Sequence, residues 1–460
     1  ELTLEAKAEH YEQGMFRHDR YGLSARVNLK KYGDLTSFAP SDGDNDGSNT
    51  LYYTVSQIFK YAVTRDPAAK AEAWRRFRAA EFCHNVTGVP GFIARTFVKC
   101  GDPHQGGDAP HGWHNSTACY EGVDAPGDDC CWTWKGDTST DETDGHFYGL
   151  GIAYRHLAET PSEKERVAGL LCDMAAYIVD GGFNYIDVTG NRTTWGYWAP
   201  DILNGFPGKP DERGLNSLEI VSYLAAADAI CVKPRRQPAK MTYGEALRWL
   251  VVEHGYGDNV VNVHLTAPDG IAFFDFGNAM FTYYGAGLAA PWLLHDTHPV
   301  PSSVPFTPQE AHRFRRQFRL GLETYWTDTT LSASDQRSTL WSAIYSAITG
   351  RMGLSDPSWL IRRLPLELIG WPVHNSQRQD LFTRKDWLAQ EQTALSLWAI
   401  APDESPLSRP EDDHSLCANG LFHTRTRTHS DTVTPLPTSA STVDPALPSQ
   451  LPDGRWQWPL

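Results

Sequence analysis

Several things this chain lacks narrow its function before any motif is read. No apolar run approaches the roughly 18 residues that a membrane-spanning helix needs. There is no block of basic residues, and with 41 Lys and Arg against 56 Asp and Glu the formal net charge is −15, which argues against nucleic acid and anionic membrane as partners. CxxC and HxxxH spacings are missing, so the eight cysteines do not read as a zinc framework. No constant internal period runs along the chain, which disfavours an open helical solenoid. A start at Glu1, without methionine or apolar leader, is what a processed mature chain would show.

What is present is aromatic and loop-rich. Sixteen tryptophans in 460 residues exceed what core packing alone asks for, and those near Gly, Asn and Asp loops suit stacking on sugar rings. Cys100, Cys119, Cys130 and Cys131 crowd one Gly- and Pro-rich stretch with little core of its own, a setting that disulfides stabilise. Cys172 and Cys231 fall in apolar helical patterns and read as buried thiols. Three sequons, at Asn85, Asn115 and Asn191, agree with cysteine usage in indicating a secreted glycoprotein.

Helix starts recur. Asp66-Pro67, Thr160-Pro161, Thr307-Pro308 and Asp356-Pro357 each set a capping side chain before proline, and Thr160/Glu163, Thr307/Glu310 and Thr242/Glu245 have capping-box spacing. Further helices are expected over 54–63, 147–157, 215–229, 280–294 and 338–348. The pattern is all-α dominant: five to six α/α hairpins, which in one globular chain close into a toroid, with short β-hairpins on the rim. One such hairpin is "FNYIDVTGNRTTWGYW" at 183–198. Residues 1–423 form this domain, with a disulfide-rich insertion at 100–135. Residues 424–460, rich in Thr, Ser and Pro, read as an extended tail.

The loops carry the unusual chemistry. "SDGDNDG" places Asp42, Asp44 and Asp46 before Gly47, matching the first half of a calcium loop, but Tyr53 stands where an EF-hand needs its bidentate Glu. A looser calcium site, a turn complementing a helix dipole, and a catalytic carboxylate all remain open there. No organic cofactor is expected. "WKGDTSTDETDGH" gathers Asp137, Asp141, Glu142, Asp144 and His146, and like charges held close raise a carboxyl pKa, as a general acid requires. "RGLNSLE" sets Arg213, Asn216 and Glu219 on one helix face; "VEHGYGDN" exposes His254 and Tyr256; "WPVHNSQR" offers His374, Asn375 and Arg378. Trp195 and Trp198 stand beside them as sugar-stacking candidates.

The segments "SDGDNDG", "WKGDTSTDETDGH", "RGLNSLE" and "WPVHNSQR", together with the hairpin count, resemble the α/α-toroid carbohydrate-active enzymes, the six-hairpin glycosidases and toroid polysaccharide lyases. They look closer still to a group of largely uncharacterised extracellular proteins with DSDNDG and DTSSDE…GH motifs, over most of residues 40–400. Ser48-Asn49-Thr50 departs from that group, which has a tryptophan-containing segment there. The resemblance implies a sugar-facing pocket and an oligo- or polysaccharide partner, with no assigned reaction. A hydrolase would pair Asp141 or Glu142 with Glu219 or Asp46. A lyase would use Tyr256, His254 or His146 as base, with Asn216 and Asn375 neutralising a uronate and Arg213 and Arg378 offsetting the chain's acidity. A non-catalytic glycan-binding protein, or one that self-associates into a surface layer or filament, is the third reading.

Overall fold

The computed structural model describes residues 3–351, except 31–33, 105–111, 126, 207, 233–235, 264–273, 328–332 and 335–337, together with residue 361 and the pieces 449–450 and 456–457. His374, Asn375, Arg378, the Asp356 helix start and most of the tail lie outside the described residues. Helices dominate. They are α1 (Leu4–Gly14), α2 (Asp46–Thr64), α3 (Pro67–Asn85), α4 (Thr140–Ile152), α5 (Pro161–Asp180), α6 (Pro200–Leu203), α7 (Arg213–Ile230), α8 (Tyr243–Arg248), α9 (Tyr256–Asn259), α10 (Phe274–Ala289), α11 (Pro308–Thr327) and α12 (Thr339–Thr349).

Local chemistry explains most starts. The Asp66 side chain accepts from the Ala68 amide, and Thr160/Glu163 and Thr242/Glu245 form both bonds of the capping box. At α11 the Thr307 amide donates to Glu310 and the Glu310 amide to Thr307. Packing then follows the order expected of hairpins for the first pairs, α2 on α3, α4 on α5 and α7 on α8, while α10 lies against α4, α7 and α12. Two helices begin earlier than their apolar stripes suggest. Both α2 and α4 reach back into Asp- and Gly-rich stretches whose composition reads as loop, because their first turns are held by contacts from elsewhere in the chain.

The sheets are small and antiparallel: β1 (Asp19–Arg20) with β2 (Leu23–Ser24), β3 (Arg26–Leu29) with β4 (Phe38–Ser41), and β5 (Phe97–Lys99), β6 (Trp113–Ser116) and β7 (Trp132–Lys135) in the order β5-β7-β6. The expected hairpin at 183–198 is β8 (Asn184–Ile186) paired with β9 (Arg192–Tyr197), and β10 (Ser449–Gln450) pairs with β11 (Trp456–Gln457). The three-stranded sheet was not legible in the cysteine-rich stretch. Its inner face is aromatic, with Phe82 of α3 packed on Phe97, Tyr120 and Trp132.

Disulfides Cys100–Cys131 and Cys119–Cys130 tie this sheet together, as the clustered cysteines suggest. Cys172 and Cys231 are not free thiols. They form a third disulfide between α5 and the end of α7. Cys83 is buried and has no disulfide partner among the described residues. Three disulfides fit an oxidising, extracellular setting, and the sequon residues Asn85, Asn115 and Asn191 are all exposed. No described helix is long and apolar enough to cross a membrane.

Candidate functional site

The first turns of α2, α4 and α7 bring the acidic segments together. Helix α2 has no side-chain cap of its own at Asn45. The cap comes from α4: Glu142 accepts from the Ser48 amide at 3.0 and 3.2 Å, which satisfies an otherwise orphaned donor at the positive end of α2. Gly47 makes this possible, since a Cβ there would stand 2.1 Å from Glu142 Oε1 and 2.7 Å from His146 Nε2. Ser139 caps α4 itself, accepting from the Glu142 amide. Before it, Asp137 is held in the left-handed region at φ 56°, its amide donating to Asp187 and its carboxylate accepting from the Thr194 amide.

Glu142 begins a buried chain of polar contacts. His146 Nε2 lies 3.1 Å from Glu142 Oε1, and His146 Nδ1 lies 3.0 Å from Nε2 of His84 on α3. Burial drives Glu142 well above the usual carboxyl range, lowers His146 to about 3 and lowers His84 well below its ordinary value. Burial thus disfavours charge on all three, and Glu142 gives His146 a hydrogen-bond partner. His84 was missed in the sequence, where it reads as a last-turn residue of a helix.

The aspartates of the acidic loop separate. Asp42 meets Arg20 at 3.3 Å, Asp44 is exposed and paired with Lys135, and Asp46 is buried, accepting from Thr96 Oγ1 at 2.6 Å and the Gly43 amide at 2.9 Å. Burial raises Asp46 to about 7. Arg95, also unforeseen, stitches this loop to the one before α4, donating to the carbonyls of Asp44 and Asp137. Among the described residues no group of three or more His, Cys, Asp or Glu side chains forms a metal ligand set.

Asp144 and Glu219 lie deeper. Asp144 Oδ1 accepts from Thr282 of α10 at 2.5 Å and from Tyr223 at 3.4 Å, while Glu219 Oε2 accepts from the Trp198 indole at 2.8 Å. Burial raises Asp144 to about 8 and Glu219 well above its usual range, the charge of Asp144 being the next influence on Glu219. Asn216 donates to the Tyr197 carbonyl at 3.0 Å, and Tyr256 donates to the Trp198 carbonyl. Glu142, His146, Glu219, Tyr256 and Trp198 are fully buried, so the expected exposure of Tyr256 is corrected, and of the two tryptophans only Trp195 is exposed.

Two acidic groups of this centre reach its surface. Asp141, half-buried, accepts from Asn45 and Ser139. Glu212, half-buried just before α7 and overlooked in the sequence, is raised by burial and by Asp211, opposed by Lys209, and raised further by Asp141. Lys209 Nζ in turn sits 5.9 Å from the ring centre of Trp195, which is 49% exposed. Arg213 donates to the Leu203 carbonyl at 2.7 Å. His254 lies elsewhere, in a cavity of about 360 Å³ with Phe183, Met241 and Trp249 that includes none of the acidic groups just described.

No family model, no curated protein and no solved structure matches the chain.

Proposed function

We propose that this protein is an extracellular glycan-active protein, acting as a glycoside hydrolase, whose α/α hairpins close into a ring with the acidic centre at one mouth. The observation that carries the reading is the pair of half-buried carboxyls at the starts of two packed helices, Asp141 on α4 and Glu212 just before α7. Glycoside hydrolysis needs one carboxyl that keeps its proton and one that is ionised. Glu212 suits the acid, being pushed upward by burial and by its acidic neighbours. Asp141 suits the base or nucleophile, with Asn45 and Ser139 orienting it. Trp195, exposed and linked to Glu212 through Lys209, supplies a flat face for a sugar ring.

The lyase alternative has less support, since the Tyr256 hydroxyl is committed to the Trp198 carbonyl and His254 lies in a separate cavity. The complete burial of Glu142, His146 and Glu219 takes them out of reach of a glycan, which leaves non-catalytic binding at the exposed Trp195 as the third reading. A panel of plant, algal and bacterial polysaccharides separates the three. Release of reducing ends without ultraviolet absorbance is expected; both together mean elimination, and binding without either means a lectin. On a hydrolysed substrate, Asp141→Asn and Glu212→Gln should each lower kcat by about 100-fold or more. Full activity in both variants would overturn the assignment.

A further inference from the structure

Beneath the surface carboxyls, three acceptor oxygens have no hydrogen-bond partner among the described residues, although their own residues are at most 1% exposed: Oδ2 of Asp144, Oε1 of Glu219 and Oδ1 of Asn216. A buried acceptor left unpaired costs about 1–3 kcal/mol, more when charged, so three in one region need an explanation. Asn216 and Glu219 are three apart on α7 and therefore neighbours on one face. Their other polar atoms are committed to adjacent residues, the Tyr197 carbonyl and the Trp198 indole. Asp144 comes from α4 and meets α7 at Tyr223, one turn beyond Glu219; the Tyr223 hydroxyl lies 3.4 Å from Asp144 Oδ1. Among the described residues, the side chains hydrogen-bonded to these two carboxyls are Thr282, Tyr223 and Trp198, and none of them is a cation. Two carboxylates cannot both ionise in such a place without a positive charge to join them.

We infer that Asp144, Glu219 and Asn216 form a buried site for a hard divalent cation, calcium in the first instance, bridging α4 and α7. The unpaired acceptors are all oxygen, two from carboxylates and one from an amide, which is the donor chemistry that calcium takes and that soft metals do not. A dication would neutralise the two carboxylates and give each unpaired oxygen its partner. The site is separate from the acidic loop, where Asp42 and Asp44 are already paired with Arg20 and Lys135. It does not depend on the chain being an enzyme.

Trp198 offers a direct probe, because its indole is bonded to Glu219 and can sensitise terbium emission. Full-length protein freed of divalent ions with EGTA would be titrated with Tb³⁺ under tryptophan excitation, then with Ca²⁺ or Mg²⁺, and its Tm followed with each ion. Expected are saturable emission at about one equivalent, displacement by Ca²⁺, and a Tm rise of about 4 °C at a hundredfold excess over Kd. Glu219→Gln should weaken displacement at least tenfold, and Asp44→Ala should leave it unchanged. Trp198→Phe should remove the emission while keeping the Ca²⁺-dependent Tm rise, which locates the site even if Glu219→Gln fails to fold. Wild-type protein with neither terbium emission nor a cation-dependent Tm would overturn the inference in favour of a proton shared by the two carboxyls. Loss of the Tm rise in Asp44→Ala would also overturn it, in favour of the acidic loop.

Discussion

Replacing Gly47 by alanine tests whether the centre is built as described. The added Cβ would stand 2.1 Å from Glu142 Oε1, where ordinary contact begins near 3.4 Å, so the carboxyl would have to retreat by more than 1 Å. Retreat breaks the bonds from the Ser48 amide, at 3.0 and 3.2 Å, and the 3.1 Å bond to His146. Leaving one buried partner unsatisfied costs about 1–3 kcal/mol, and crowding a packed interior costs about 1–3 kcal/mol more. Against this, alanine is favoured over glycine in a helix by up to about 1 kcal/mol. The balance is a loss of about 3 kcal/mol. Urea unfolding followed by tryptophan fluorescence measures it, with Gly169→Ala as the control, since that helical glycine has open space around its missing Cβ. The control should be neutral or stabilised by up to about 1 kcal/mol. Pairing Gly47→Ala with Glu142→Ala should show a coupling of at least about 1 kcal/mol, because removing the carboxyl removes the clash. An unchanged midpoint for Gly47→Ala, or strict additivity in the double variant, would show that Glu142 does not cap α2 across Gly47.

Two further outcomes follow from the same structure. Cys172→Ser with Cys231→Ser removes a disulfide spanning a sequence separation of 59, which on loop-closure entropy should cost about 4 kcal/mol, read as a lower Tm that no longer responds to reduction at that bridge. His146 is held neutral by burial, with its pKa lowered from 6.5 to about 3, so the unfolded chain takes up its proton first as pH falls. Its contribution is fully present above pH 6.5 and is lost on acidification toward pH 3, with a slope of up to about 1.4 kcal/mol per pH unit. His146→Gln should flatten that part of the pH–stability profile, and an unchanged acid limb would show that the imidazole is not buried neutral.

Much of the chain's local architecture follows from spacing alone. Thr160 and Glu163, Thr242 and Glu245, and Thr307 and Glu310 bond across three residues, so a helix start is settled by neighbours in sequence. The same holds for the β8–β9 hairpin, set by alternation around a Thr-Gly-Asn turn. The acidic segments were visible too, but not the division of labour among them. Glu142 sits three residues after Ser139, as a capping-box residue should, yet it caps α2, reaching Ser48 across 94 residues of chain. His84 joins His146 across 62 residues, and Cys172 meets Cys231 across 59. Asp144 and Glu219 are both buried only because α4 and α7 pack together, while Glu212, ordinary in sequence, stays half-buried at the start of α7. Composition determined that carboxylates would crowd the first turns of the helices, because short-range sterics and hydrogen bonds act on neighbours. Which carboxylate became a cap, which was buried and which stayed at the surface was decided by helix packing, since burial and charge coupling are properties of the assembled interior.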